Sequence, residues 1–453
     1  MDRTPTWRRP GAGVIDAKTL ASALTAKRRG RKVAPEEEAQ NPVPDSGSAG
    51  EVPVVAAPAE PDPVASGWAY PEISALVMPS RTSMADDGAD REWLSRVSVA
   101  TKSALQQLQL QAKLLDSMLT PNSALLRFAG STNLTVEQVT KKRSELLTTF
   151  GLNIISIRPE PGAVVLAVER PTRRIVGIEE LWSGWRPQAS GWGNQDLLIG
   201  VREKDGSNLI LSPGRVHAPH TLIAGSTGSG KSVLMQNIIL GISATNTPEQ
   251  ARIVLIDPKQ GVDYFVFEDL PHLDGGVIDN QEIATQRLTE LVAEMDRRYA
   301  RFKVARVSNL TSFNAKVPTP ERLPTIWLIH DEFAEWMLTD DYKEAVSSVV
   351  QRLGVKARAA GIYLVFAAQR PDAYVMPMQL RANLGNRLIL RVDSEGTSEI
   401  ALGEKGAERL LGRGHLLAKL EGERDLCFAQ VPFVDPEFAE AMVAAMRGPI
   451  RAD

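Results

Sequence analysis

A single cysteine, Cys427, stands in the 453 residues. That excludes an intramolecular disulfide framework and any cysteine-rich metal site. Its place in the apolar run LCFAQV predicts a small core residue. The five histidines (His217, His220, His272, His330 and His415) lack ligand spacing, so no zinc site is expected. No apolar run reaches the roughly 18–20 residues needed to span a bilayer. The N-terminus has no signal-peptide core, so the expected location is the cytoplasm. Net charge is −3, so no global basic signal points to nucleic acid. Any DNA contact must come from a local patch or a pore.

Apolar content of 43% is enough for a substantial core, and the length suggests about two or three domains. Residues 1–88 are rich in Pro, Ala, Gly, Ser and charge, and are read as a disordered tail. A basic cluster from Lys27 to Lys32 runs straight into Glu36, Glu37 and Glu38, which fits a solvated mixed-charge tail better than a tether to DNA or an acidic partner. Residues 89–120 have a helical period, with Leu105, Leu108, Ala112, Leu115 and Leu119 three and four apart; Pro121 would end the helix. Residues 121–186 read as a small α/β module, with strands near Leu125–Phe128, Asn153–Ile157 and Val164–Val168. Thr135 would cap one helix running to Phe150, closed by Gly151. From 187 to 435, apolar strands at Ile253–Ile256, Val277–Ile278, Ile326–Ile329, Tyr363–Ala367 and Leu388–Val392 alternate with helical patterns at 281–305, 341–358 and 394–411. Continuous apolar runs with β-branched residues predict a largely parallel sheet covered on both faces. Residues 436–453 read as a C-terminal helix and tail.

The organising stretch is LIAGSTGSGKSVLMQNII, beginning at Leu222. An apolar strand leads into Gly225, Ser226, Thr227, Gly228, Ser229, Gly230, Lys231 and Ser232, and an apolar helix opens at Val233. This is G-x-x-x-x-G-K-[ST] in the strand–loop–helix setting that a phosphate-binding loop requires. The glycines let backbone N–H groups turn toward phosphate oxygens, and the helix dipole favours the same anion. Lys231 would reach the β- and γ-phosphates of ATP, and Ser232 would hold Mg²⁺.

A second strand, from Ile326, ends in Asp331 and Glu332. Asp331 would orient Mg²⁺ through its water shell, and Glu332 would polarise the attacking water. A helix start capped by an acidic residue is the rival reading, since Phe333, Ala334 and Glu335 continue as a helix. A third strand ends at Gln369, Arg370 and Pro371, where Gln369 could sense the γ-phosphate; a strand end punctuated by proline is the plainer alternative. The basic run from Arg297 to Arg306 reads as a surface helix with favourable charge order.

The segments PHTLIAGSTGSGKS, VLIDPKQGVDY, EMDRRYARF, IWLIHDEFAEWM, KARAAGIYLVFAAQRP, LRANLGNRLILRV and GAERLLGRGHLL, in this order, resemble the FtsK/SpoIIIE family of DNA-translocating ATPases. The resemblance covers about residues 197 to 435. It implies a RecA-like P-loop domain acting on double-stranded DNA as a ring, usually a hexamer, with one subunit lending an arginine to its neighbour's γ-phosphate. The matching N-x-x-x-R segment points to Arg387; Arg391, Arg358 and Arg370 stay open. By position, Asn309–Lys316 and Pro371–Asn383 would be channel loops, with Lys316 and Arg381 touching DNA phosphates. Three departures stand out. The chain has no membrane-spanning segment before the motor. It ends at Asp453, without a C-terminal winged-helix module. His415 sits where the family often carries an acid. The expected function is an ATP-driven double-stranded DNA translocase. A type VII-like protein-secretion ATPase is the alternative from another class, and a non-hydrolysing, nucleotide-gated DNA-binding protein is a third.

Overall fold

The computed structural model describes residues 87–183, 192–214, 219–372, 374–376 and 378–447. The basic cluster at 27–32, the rest of the expected tail up to residue 86 and His217 lie outside these residues. Helix α1 spans Asp87–Gln107. The leucine spacing that predicts a helix to residue 120 fails beyond it. Gln109 turns into the left-handed region at φ 62°, and Leu114–Leu119 forms strand β1. The partner strand decides the outcome. β1 pairs antiparallel with β2 (Ser123–Ala129), setting Met118 opposite Leu125 and Leu119 opposite Ala124. Cross-strand packing of this kind overrides a local helical period.

Thr135 caps α2 (Val136–Lys141), but the expected single helix breaks at Lys142 (φ −94°, ψ 2°) before α3 (Arg143–Phe150). Gly151 closes α3 at φ 66°. Strands β3 (Ile154–Glu160) and β4 (Ala163–Glu169) complete a four-stranded antiparallel sheet in the order β1-β2-β4-β3. One face carries Leu126, Phe128 and Leu166 against Leu105 of α1 and Leu146 of α3. The other carries Leu125, Ile155 and Val165, joined by Leu411 from far along the chain. The module's sheet ends at Glu169. The next helix, α4 (Ile178–Ser183), puts Ile178 and Trp182 into the core of the large sheet, so the organisational break falls near 170 rather than 186.

The large sheet opens with the hairpin β5 (Leu197–Arg202) and β6 (Asn208–Leu211), then β7 (Thr221–Ala224) and helix α5 (Lys231–Ser243). β8 (Ala251–Ile256) is followed by a 3₁₀ turn at Val262–Phe267, β9 (Leu273–Ile278), α6 (Gln281–Ala305) and α7 (Leu310–Lys316). Next come β10 (Thr325–His330), the short α8 (Phe333–Trp336), α9 (Asp340–Lys356) and β11 (Ile362–Ala368). The chain continues through α10 (Met378–Asn383), β12 (Asn386–Ile389), α11 (Glu395–Leu402), β13 (His415–Lys419), β14 (Cys427–Gln430) and α12 (Pro436–Arg447). Gly403, at φ 90°, stops α11 well before the expected residue 411. The order is β6-β5-β14-β13-β12-β7-β11-β10-β8-β9. The run from β12 to β9 is parallel, and the β13, β14, β5 and β6 edge is antiparallel.

Alternate residues of the central strands feed two cores. Ile223, Trp327 and Val365 face one, with α5 and α12; Leu222, Leu328 and Leu364 face the other, with α6 and α9. That two-sided burial is why these strands are apolar throughout. Central β7 lies between β11 and β12, so the loop leaving its carboxyl end opens where such sheets bind ligands.

Candidate nucleotide site

The loop after β7 has a backbone that only glycine accepts at its turning points. Gly228 sits at φ 74° and Gly230 at φ 102°. A Cβ on Gly230 would also lie 2.6 Å from the Gly414 nitrogen. A turn at 412–414 therefore presses on the loop: Arg413 N–H donates to Gly228 O (3.3 Å) and Gly414 N–H to Ser229 O (2.7 Å). On the other side Ser226 N–H donates to Arg391 O (2.8 Å). No side chain caps the start of α5, so its first-turn N–H groups face outward as an anion site. Gly225, Ser226, Thr227, Gly228, Gly230, Lys231, Ser232 and Val233 line one cavity of about 880 Å³, which Gln369 also borders. Ser229 is buried behind them.

Lys231 is buried and its ammonium touches the Asp331 carboxylate; Glu332 Oε2 lies 3.2 Å away. The two motifs meet because β10 and β7 flank β11 in register. Burial works against the Lys231 charge, but Asp331 and Glu332 outweigh it and raise its pKa. Burial likewise works against the Asp331 anion, but Lys231, the Tyr264 hydroxyl and the Glu332 N–H lower its pKa on balance. Glu332 is held at φ 39°, a left-handed conformation for a residue with a side chain. Its Oε1 accepts the Gln369 N–H (2.9 Å). Backbone strain of this kind at the end of a strand fixes where a carboxylate points.

Several residues that sequence reasoning missed also converge here. Tyr264 Oη donates to Asp331 Oδ2 (2.7 Å), and Ser232 Oγ to Asp263 Oδ2 (2.9 Å). Asp257, at the end of β8, accepts the N–H groups of Lys259 (3.2 Å) and Gly261 (2.9 Å). Burial and the Asp331 and Asp263 charges raise the Asp257 pKa against those bonds. Lys259 Nζ stands 3.9 Å from Glu332 Oε2. Asp257 follows an apolar strand just as Asp331 does, so the signal was present in VLIDPKQGVDY. Arg173 had none. It follows the small sheet in sequence, yet donates to Asn122 Oδ1 (2.8 Å), Gln430 Oε1 (3.3 Å) and Arg413 O (3.4 Å) beside the loop.

His415, which carried no interpretation in the sequence, is fully buried with Nε2 3.3 Å from Glu203 Oε1. Burial disfavours the Glu203 charge, but His415 and the Asn122 amide lower its pKa on balance.

The arginines divide. Arg387 is half-buried and donates to Ala401 O (3.1 Å) and Arg381 O (3.4 Å) within its own chain. Arg391 and Arg358 are exposed, and Arg370 is exposed in an ion pair with Asp393 (3.2 Å). The expected channel loop at Asn309–Lys316 is mostly helix α7, and Lys316 Nζ donates to Ala305 O (2.6 Å). Arg381 lies in α10 and donates to Ile400 O (3.3 Å). The basic run is not all surface: Arg298 is buried and donates to Glu294, Pro324 O and Ala360 O.

Among the described residues no group of three or more His, Cys, Asp or Glu side chains could hold a metal alone. A hydroxyl beside a carboxylate instead fits Mg²⁺, an oxygen-seeking ion that draws most of its ligands from phosphate and water.

Residues 187–373 match the model of the FtsK/SpoIIIE family. DNA translocase FtsK of Streptococcus agalactiae serotype V is 36% identical over 65% of this chain and 36% of its own length. DNA translocase FtsK of Lactococcus lactis subsp. lactis is 29% identical over 98% of this chain and 62% of its own. The chain thus spans less than two thirds of these relatives. Among solved structures, the pCW3 conjugation coupling protein TcpA, in monomer form with ATPγS, aligns at TM-score 0.55 and 22% identity, covering 78% of this chain and 99% of that one. The cytoplasmic domain of the Thermomonospora curvata type VII secretion ATPase EccC aligns at TM-score 0.51 and 28% identity, covering 58% and 32%. The large sheet is a P-loop ATPase fold. No helix among the described residues is long and apolar enough to cross a membrane.

Proposed function

Since the chain belongs to the FtsK/SpoIIIE family through its domain at 187–373, we propose that it is an ATP-driven motor that translocates double-stranded DNA in the cytoplasm. The observation that carries the reading is Lys231 of the phosphate loop lying against both Asp331 and Glu332. Glu332 takes a proton from the water that attacks the γ-phosphorus in line, while ADP leaves on the opposite side. Lys231 and the loop N–H groups neutralise the phosphate oxygens, and Gln369 reads the γ-phosphate from the end of β11. Ser232 and Asp331 would hold Mg²⁺, which supplies charge neutralisation across the β- and γ-phosphates when bound. Asp263, bonded to the Ser232 hydroxyl, joins that group.

A hexameric ring that threads DNA is the assembly we infer, with Arg387 as the arginine lent to a neighbour and Arg391 as the alternative. Because Arg387 is engaged by its own chain's carbonyls, that role requires it to leave them. Lys316 and Arg381 are the proposed phosphate contacts, which position DNA without reading its sequence. The motor would serve chromosome, plasmid or mobile-element transfer.

A second reading, a protein-secretion ATPase of the type VII kind, is favoured by the likeness to EccC. ATP turnover with and without double-stranded DNA separates the two. Several-fold stimulation by DNA is expected; a rate that DNA leaves flat would reject the translocase reading in favour of secretion.

A further inference from the structure

The cavity beside the phosphate loop has a second wall that the hydrolytic chemistry does not use. It is built from Glu169 to Val176, the segment that leaves the small sheet, together with Phe433. Phe433 N–H donates to Val176 O (2.7 Å) and Ile178 N–H to Phe433 O (3.0 Å), so the two strips form one piece of backbone ladder. Ile178 and Trp182, just beyond, are anchored in the large core. The wall is therefore fixed. Yet it leaves two large apolar side chains open: Ile175 is 60% exposed and Phe433 46%. Open apolar faces in a concave site are what a flat, weakly polar ligand group recognises.

The charged side chains of the same wall already have partners. Glu169 accepts the Asn153 amide (2.6 Å), and Arg174 donates to Glu180 (2.6 Å). Arg170 is taken by Asp90 and Thr120 O, and Arg173 by Asn122 and Gln430. Strong discrimination between similar ligands needs buried polar groups aimed at the differing atoms. Here those groups point elsewhere.

We propose that Ile175 and Phe433 form the subsite for the nucleotide's base, holding it by its faces and not by its edge, so that the site accepts purine nucleoside triphosphates with little preference among bases. This rests on the phosphate-loop reading above, and the test separates the two. Equilibrium affinities of ATP, GTP and inorganic tripolyphosphate, each with Mg²⁺, are measured on the full chain. ATP and GTP should bind within tenfold of each other, and both more tightly than tripolyphosphate. Phe433→Ala, or Ile175→Ser should the first variant fail to fold, should weaken ATP and GTP alike by several-fold and leave tripolyphosphate unchanged. Preference for ATP over GTP by more than tenfold would overturn the proposal, as would unchanged ATP and GTP affinity in Ile175→Ser. If wild type binds none of the three, the phosphate loop itself is misread, and the base subsite falls with it.

Discussion

The small sheet and the large one place their buried polar groups differently. In the small sheet, the central strands β2 and β4 are buried along most of their length, and Thr120, Asn122, Ser123 and Arg170 form a buried polar group at one end, with Ser156 buried within β3. Asn122 there reaches out to Glu203 and Gln430 of the large domain at 3.0 and 2.9 Å. In the large sheet, Asp257, Asp331 and Glu332 collect at the carboxyl ends of β8 and β10, around Lys231. Buried charges are costly unless paired, so each cluster marks a demand other than stability. One is an attachment, through which the small module is fastened to the large domain. The other is a place for chemistry.

If that division holds, Lys231→Ala should hit one region alone. We expect ATP turnover to fall by about 100-fold or more, the scale seen when one preorganised charge-stabilising donor is removed. Removing the ammonium also leaves Asp331 and Glu332 facing each other without their cation, so some local loss of stability is expected as well. Hydrogen exchange in β1–β4 should stay as in wild type. Deprotection of the small sheet in this variant would mean that the two regions do not divide as described.

Acid should separate the regions next. All five histidines lie beyond residue 216, none in the small module. Burial lowers His220 to about 3, His272 to about 4 and His330 to about 4, against the hydrogen bonds that raise each. An unfolded chain takes up protons at these groups near pH 6.5, and the folded one does not. The stability they support is therefore complete above 6.5 and is lost as pH falls toward 4. The three together would cost up to about 4 kcal/mol one pH unit below 6.5. The carboxylates with lowered pKa, Asp331 and Glu203 among them, act only near and below their ordinary range of about 4, whereas the raised Asp257 works against the histidines as pH rises. Denaturant unfolding of the full chain at pH 7.0 and 5.5 tests it; equal midpoints would remove the histidine account.

What could be read from sequence follows the range of the interactions. The phosphate loop and the acid pair are local patterns, each a strand followed at once by its functional residues, and the structure joins them through a parallel register. The strands of the large sheet were legible because burial on both faces forces apolar runs. β1 was not, because its leucines satisfy a helical spacing and only Leu125 and Ala124 across the ladder decide otherwise. The roles of Arg173 and Asn122, and the packing of the 412–414 turn on the phosphate loop, were invisible for the same reason: each matters through a partner far away in the chain. The His415–Glu203 pair spans more than two hundred residues, so His415 stood out as a departure without its partner being legible.

The smallest expected effect probes the comparison from the other side. Thr135 Oγ1 accepts the Gln138 N–H (3.3 Å), and Gln138 Oε1 accepts the Thr135 N–H (2.9 Å), a reciprocal cap on α2 in the small module. Thr135→Ala removes half of it and leaves the Gln138 N–H to water. Such caps are worth about 1 kcal/mol, so calorimetry should register a fall of a few degrees at most in the melting temperature. Turnover of ATP should not change, because α2 covers the face of the small sheet turned away from Leu411 and the large domain. A change in turnover from this cap would mean that the small module's own stability is felt at the phosphate loop, and the division between attachment and chemistry would then have to be redrawn along Arg173.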